Sequence, residues 1–181
     1  WSVLPFKTPA GTPPHLALPL LSAHAKRAGH SVESIIGPLL PWNRRRFRRL
    51  LARKPRVVGI STVALFHTSA VEPICREVRT LSPASIIVLG GHGAQDYAET
   101  RALGDLTVTL HGEGVLPRVV SHLKTGKDLD SLEGVSRGQD GARMLAGAVR
   151  YEGIEEILYP DWTVAPHGYG RYPIEASRGC R

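Results

Sequence analysis

Small and polar residues follow three apolar runs of this sequence, and their types suit contact with a bound organic molecule. Ser61-Thr62 follows the first of these runs, Gly90-Gly91 the second and Gly112-Glu113-Gly114 the third. Glycine lets a ligand approach the backbone closely and accepts left-handed turns. Free backbone amides at the start of a following helix can bind a phosphate or an amide oxygen. A glycine pair alone is equally typical of a tight turn, so the prediction of a binding site depends on the loops lying together.

The order of elements along the chain predicts that they do lie together. β-rich apolar runs alternate with amphipathic stretches, which is typical of a parallel sheet covered by helices. The predicted fold class is therefore α/β: a Rossmann-like (flavodoxin-like) five-stranded parallel sheet with helices on both faces. Ligands of such sheets bind at the carboxyl ends of the strands. The predicted strands are 2–6, 31–36, 56–62, 85–89 and 106–110, and the predicted helices are 15–28, 43–53, 69–81, 95–102 and 115–124.

The character of the chain changes after the last of these helices. Residues 126–150 are rich in glycine, and residues 151–181 carry prolines and aromatics without a clear period. We predict a Rossmann-like domain over 1–125, a small hairpin or linker over 126–160, and the beginning of another domain over 161–181.

The motifs of common phosphate sites are absent from the sequence. There is no G-x-G-x-x-G after the first predicted strand and no G-x-x-x-x-G-K-[ST] anywhere, which argues against a dinucleotide or a nucleoside triphosphate. No pair of histidines has the spacing of a zinc site. The crevice is predicted to take another kind of ligand.

Composition limits the cellular compartment and the classes of partner that we expect for this chain. Two cysteines are too few for a disulfide framework, so we expect a reducing cytoplasm. No apolar run approaches the roughly 18–20 residues that a membrane span needs. Eight of the 23 lysines and arginines lie between Arg44 and Arg56, which leaves 15 cations against 16 acids elsewhere. Because a nucleic-acid surface would spread its charge more widely, this run is predicted to be a solvated helix, with RNA, an acidic partner or a further domain as alternatives.

The same three loops carry a resemblance. Val-Val-Gly-Ile-Ser-Thr-Val at 57–63, Val-Leu-Gly-Gly-His at 88–92 and Leu-His-Gly-Glu-Gly at 110–114 resemble the successive signatures of cobalamin-binding domains, over roughly residues 1–125. The resemblance implies that cobalamin is bound with its nucleotide tail against these loops. The implied cofactor-binding residues are Thr12, Ser61, Thr62, Val63, Phe66, His67, Gly90, Gly91, His92, Gly112, Glu113 and Gly114.

One departure from that family concerns the cobalt ligand. Its well-known members carry Asp-x-His-x-x-Gly in the first loop, whereas residues 7–15 here read Lys-Thr-Pro-Ala-Gly-Thr-Pro-Pro-His. The resemblance therefore implies base-off cobalamin without a histidine on the cobalt, and His15 is not predicted to be a ligand. The loop at 63–67 would lie under the corrin ring and carries Leu65 and Phe66 there.

The last residues resemble the beginning of a radical S-adenosylmethionine domain. Ser-Arg-Gly-Cys at 177–180 matches the phrase that leads into Cys-x-x-x-Cys-x-x-Cys, so Cys180 would be the first of three ligands of a four-iron four-sulfur cluster. The resemblance implies a cobalamin-dependent radical enzyme that uses S-adenosylmethionine for methyl transfer or a radical rearrangement. Its C-terminal barrel would be missing here, so this fragment is expected to bind cobalamin at most, and its substrate is not identified.

Two other interpretations stay open at this point. The domain could be a degenerate cobalamin-type module that has lost its cofactor and serves as a scaffold, because fold alone does not establish occupancy. A receiver-like signalling domain would need an acidic cluster at the strand ends, where the sequence offers only Glu113 and Asp96.

Overall fold

Three parallel strands and one antiparallel strand make the central sheet of the computed structural model. Its order is β1 (Val57–Ser61), β2 (Ile86–Gly90), β3 (Leu106–Val108) and β4 (Val135–Arg137). β1 and β2 pair in parallel with Ser61 opposite Gly90, β2 and β3 pair in parallel, and β4 runs antiparallel to β3. The structure describes residues 16–36, 41–62, 68–91, 93–94, 97–109, 111–137, 157–164 and 173.

Helices lie on both faces of this sheet, as the sequence predicts. They are α1 (Ala17–Arg27), α2 (Pro41–Leu51), α3 (Thr68–Leu81), α4 (Ala98–Arg101) and α5 (Gly112–Thr125), and a 3-10 turn spans Trp162–Val164. The predicted stop of α1 is confirmed, because Gly29 has φ +81 and its amide donates to the Lys26 carbonyl. None of the helices in the described ranges is long and apolar enough to cross a membrane.

Alternation along the strands divides the core between the two faces. Val58 and Ile60 of β1 and Ile87 and Leu89 of β2 pack against α2 and α3. The residues between them face the other way, where Val88 joins β3 and α5. That second cluster contains Val88, Leu106, Val108, Val115, Val119, Leu129 and Leu132.

The prediction of five parallel strands is wrong in number for the described residues. Residues 31–36 form no strand although Ser34, Ile35 and Ile36 are buried. Ser31–Ser34 line a cavity together with Val57 and Gly59 of β1, and no ladder of backbone hydrogen bonds joins residues 31–36 to the described strands. The predicted strand at 2–6 lies outside the described residues.

The sheet also continues past the predicted boundary at residue 125. β4 pairs with β3, and Leu129 and Leu132 are buried in the cluster under α5. The first part of the predicted hairpin or linker therefore belongs to the core of this domain.

Cys75 is buried on the inner side of α3, as predicted for a core residue. Burial raises the pKa of its thiol to about 12. The thiolate is the reactive form of cysteine, so this side chain is a packing residue near neutral pH.

A later segment of the chain packs back on α1 through Asp161. Ser22 Oγ and Lys26 Nζ donate to its carboxylate over 2.8 and 2.5 Å, and its own amide donates to the Pro19 carbonyl. Trp162 and Val164 pack beside it on the apolar side of α1. Burial acts to raise the pKa of Asp161, but hydrogen bonds from Lys26, Thr163 and Ser22 and the charge of Lys26 lower it to about 2. We call this set of contacts the Asp161 clasp.

The clasp predicts a pH-dependent contribution to stability. Because the pKa of Asp161 falls from 3.8 to about 2 on folding, its charge stabilises the fold above about pH 4 and this stabilisation is lost as the pH falls through about 2. Asp161→Asn should lower the free energy of unfolding by about 1–2 kcal/mol near neutral pH, a range discounted because Lys26 is half exposed.

Urea denaturation at about pH 7 and about pH 2.5 measures this difference. The gap between Asp161→Asn and the parent should shrink at the lower pH, and an equal gap at both would contradict the assignment. Asp130→Asn is the matched control, because Asp130 pairs with Arg137 at an exposed position.

Candidate ligand-binding site

A cavity of about 660 Å³ lies on the side of the sheet that faces α1 and α5. Its walls are mostly apolar, and they come from the facing sides of these two helices and from β1, β2 and β3. Polar and glycine positions lie at the carboxyl ends of the strands, and further polar residues come from residues 30–34 and from Arg53 and Arg56. The apolar lining residues are Leu16, Ala17, Leu18, Leu20, Leu21, Ala25, Val32, Pro55, Val57, Ile60, Val88, Leu89, Val108, Leu116 and Val120, and the residues at the strand ends are Ser61, Gly90, Gly91, His111, Gly112 and Glu113.

The two glycines after β2 play different parts. Gly91 has φ +88, and a Cβ there would overlap the Thr62 carbonyl oxygen. A Cβ on Gly90 would meet only the Val108 carbonyl oxygen, at an ordinary 3.7 Å. Since side chains alternate along a strand, Gly90 shares the cavity side with Val88. The turn therefore requires Gly91, while Gly90 leaves open space in the cavity.

Thr62 stabilises the turn at Gly90-Gly91 and does not line the cavity. Its side chain is buried, and its hydroxyl donates to the Gly90 carbonyl over 2.9 Å and accepts from the Ala94 amide over 2.7 Å. The Thr62 amide also donates to the Gly90 carbonyl over 2.7 Å. These bonds tie the loops after β1 and β2 together at the edge where the cavity opens.

The start of α5 forms the opposite side of that opening. His111 precedes the helix with φ 37, a left-handed conformation. A Cβ on Gly112 would lie 3.4 Å from Leu21 Cδ2 of α1, an ordinary van der Waals distance, so the helix start and α1 are close neighbours here. Glu113 is buried in the first turn and lines the cavity. The positive end of the helix dipole lies at this opening.

The structure brings together five of the predicted site residues. Ser61, Gly90, Gly91, Gly112 and Glu113 line the same cavity. Thr62 and Gly114 do not line it, and the Gly114 amide donates to the His111 carbonyl instead. The predicted residues Thr12, Val63, Phe66, His67, His92 and Cys180 lie outside the described residues.

The apolar walls were not predicted as part of the site. Leu21 and Ala25 of α1, and Leu116 and Val120 of α5, each stand four residues apart on one helix face. Such spacing is the signal of an amphipathic helix, and it does not distinguish a wall that packs on a core from one that packs on a ligand. In the described ranges no three His, Cys, Asp or Glu side chains converge as metal ligands.

The contrast between the glycines predicts different effects on stability. Gly91→Ala should lower the free energy of unfolding by about 2–4 kcal/mol, because it adds a clash to a left-handed backbone. Gly90→Ala should change it by less than about 1 kcal/mol, since only the cost of a strand-end substitution applies. Urea titrations of both variants measure this, and equal losses would contradict the assigned roles.

Comparisons with known proteins identify a family for this chain. A family model described as the B12 binding domain matches residues 5–120. No curated protein matches the chain significantly.

Two solved structures of the radical S-adenosylmethionine methyltransferase TsrM from Kitasatospora setae have a similar fold. One holds cobalamin and a 4Fe-4S cluster, with a TM-score of 0.62 at 21% identity over 77% of this chain and 27% of that chain. The other holds tryptophan substrate and a SAM analogue, with a TM-score of 0.61 at 22% identity over 82% of this chain and 29% of that one. This chain thus spans less than a third of the length of TsrM. The family model covers well over half of the sequence and includes every strand end that lines the cavity. The chain therefore belongs to the B12-binding domain family.

Proposed function

We propose that this chain binds cobalamin, with the nucleotide tail of the cofactor in the cavity between α1 and α5. The observation that carries the proposal is that the family match and the cavity involve the same loops. The family model includes the loops after β1, β2 and β3, and the same loops form a polar opening at one end of the cavity. Its volume of about 660 Å³ is in the usual range for organic ligands.

The residues present fit the parts of the tail. The apolar walls of Leu21, Leu116 and Val120 suit a planar benzimidazole, and the open space at Gly90 leaves room for it beside the sheet. The start of α5 suits the phosphate, because the positive end of the helix dipole favours an anion. The buried carboxylate of Glu113 is an acceptor for a ribose hydroxyl or an amide of the corrin. The chain thereby holds the cofactor at one end and excludes water from its base.

The cavity runs along the whole of β1, which is the edge strand of the described sheet, from Ser61 towards Arg56. We infer that the tail occupies the part of the cavity next to Ser61 and Gly90, because the loops that the family model includes lie at that end.

The wider activity of the whole protein is a second step of the same proposal. Bound cobalamin supplies cobalt-centred methyl-transfer or radical chemistry that side chains do not provide. The similarity to TsrM and the Ser-Arg-Gly-Cys sequence at 177–180 support a cobalamin-dependent radical S-adenosylmethionine enzyme, with Cys180 as a cluster ligand. Methyl transfer is the reaction that the likeness favours. Base-off binding without a histidine on cobalt stays a prediction, because residues 63–67 lie outside the described residues.

Binding by the 181-residue chain tests the proposal. Titration with hydroxocobalamin should give a saturable complex that co-elutes on gel filtration and melts at a higher temperature, because the ligand binds only the folded state. Gly90→Leu places a side chain in the open space and should weaken binding by about tenfold or more, the effect of displacing a well-packed group.

Ala84→Leu is the matched control, because it adds the same side chain at an exposed position just before β2, at the other end of that strand. It should bind as the parent does. A folded parent chain that binds no cobalamin would contradict the proposal and support the scaffold interpretation. Equal binding by Gly90→Leu would place the tail elsewhere.

A further inference from the structure

Helix α2 presents an aromatic and basic surface on its outer side. Trp42, Arg45, Arg46 and Arg49 are spaced three, four and seven residues apart, which places them on one helix face. All four are exposed, and Trp42 is 64% exposed. The inner side of the helix packs into the core through Phe47, Leu50 and Leu51. We call the four outer residues the α2 arginine face.

Most of the other cations in this region have partners within the fold. Arg44 and Arg48 both pair with Glu77 of α3, and Arg53 pairs with Glu33 over 2.5 Å. Lys54 and Arg56 donate to backbone carbonyls of Leu81 and Leu123.

The three arginines of the α2 arginine face differ from these. Arg45, Arg46 and Arg49 make no ion pair or side-chain hydrogen bond with any residue that the structure describes. Within the described part of the chain, three neighbouring positive charges on one surface are therefore not compensated.

Two of these arginines also line a small hollow. Arg46 and Arg49 converge with Arg53 on a cavity of about 190 Å³, whose remaining walls are Leu50 and Glu33. Glu33 pairs with Arg53, so the charges of Arg46 and Arg49 at this hollow are not offset by a lining residue. An anion that enters the hollow would offset these charges, so the geometry favours an acidic ligand.

We propose that the α2 arginine face is a docking surface for an acidic segment of a partner protein. Guanidinium groups bind carboxylates through paired hydrogen bonds, and an exposed tryptophan among arginines is the composition of interface hot spots. The helix has 11 residues, or about 16 Å of length, which suits a short peptide segment.

The distribution of charge favours a protein over a nucleic acid. Outside residues 44–56 the chain carries 15 cations and 16 acids, so the basic surface does not extend to the several phosphates that nucleic-acid binding uses. α2 packs on the sheet face opposite α1 and α5, and the small hollow shares only Glu33 and Arg53 with the large cavity. The cobalamin tail is proposed for the end of that cavity at Ser61 and Gly90, so the docking proposal can fail without the cobalamin proposal.

Fluorescence anisotropy with a labelled acidic peptide tests the docking surface. The probe is a peptide of glutamate pairs separated by single leucines, at about 50 mM NaCl, where surface charges are only partly screened. The 181-residue chain should bind it saturably. The triple variant Arg45→Gln, Arg46→Gln, Arg49→Gln should weaken binding by about tenfold or more, and Trp42→Ser should weaken it by a smaller factor.

A second triple variant controls for net charge. Arg118→Gln, Lys124→Gln and Lys127→Gln remove the same charge at exposed positions on and after α5, and binding should stay within about twofold of the parent. Circular dichroism and thermal melting check that both triple variants fold.

Three results would overturn the proposal. The first is an absence of peptide binding, or equal losses in the two triple variants. The second is tighter binding of an oligothymidylate of about twenty nucleotides through the same arginines, which would assign the surface to nucleic acid. The third is concentration-dependent self-association that the first triple variant abolishes, which would assign it to a second copy of the chain.

Discussion

The junction between Thr62 and the Gly90-Gly91 pair holds the ligand edge of the sheet in place. Both the amide and the hydroxyl of Thr62 donate to the Gly90 carbonyl, and the same hydroxyl accepts from Ala94. Gly91 passes so close to the Thr62 carbonyl that no other residue fits there without displacement. Because Ser61 and Gly90 are directly paired in the register of β1 and β2, this junction sets where the polar opening of the cavity lies.

The helices that enclose the cavity depend on that edge and on each other. α5 begins at the ligand edge of the sheet, where Gly112 lies beside Leu21 of α1. His30, which follows α1, places its Nε2 3.2 Å from the Pro117 carbonyl oxygen of α5. The Asp161 clasp holds the later segment of the chain against α1. Ser22 belongs both to the clasp and to the cavity, because it donates to Asp161 and lines the cavity. A ligand that orders α1 would thereby also act on the segment around Asp161, which lies between this domain and the residues that follow it.

Periodicity along the sequence predicts the elements but not all of their pairings. The apolar runs that became β1, β2 and β3 and the amphipathic stretches that became the helices are correctly located, because their patterns follow directly from burial on one face or two. Residues 31–36 have a strand-like composition and buried side chains, yet a strand also needs a partner beside it. β4 was expected only as part of a hairpin or linker, since a run of three residues carries little signal.

The candidate site was likewise predicted only in part. The glycine pair after β2 marks the correct loop, but the different parts of Gly90 and Gly91 depend on a left-handed backbone and on contact with Thr62, neither of which is visible in the sequence. Thr62 was predicted to face the cofactor as Ser61 does. The alternation of a strand places neighbouring residues on opposite sides, and the structure uses Thr62 as a brace for the turn.

If this chain binds cobalamin as proposed, the benzimidazole lies in the cavity between α1 and α5. Nuclear Overhauser effects between the aromatic protons of the bound base and the methyl groups of the chain measure this contact directly. We expect such effects to the methyl groups of Leu21 of α1 and of Leu116 and Val120 of α5, which line the cavity. A cobalamin complex in which the base shows no contact with any of these methyl groups would contradict this placement.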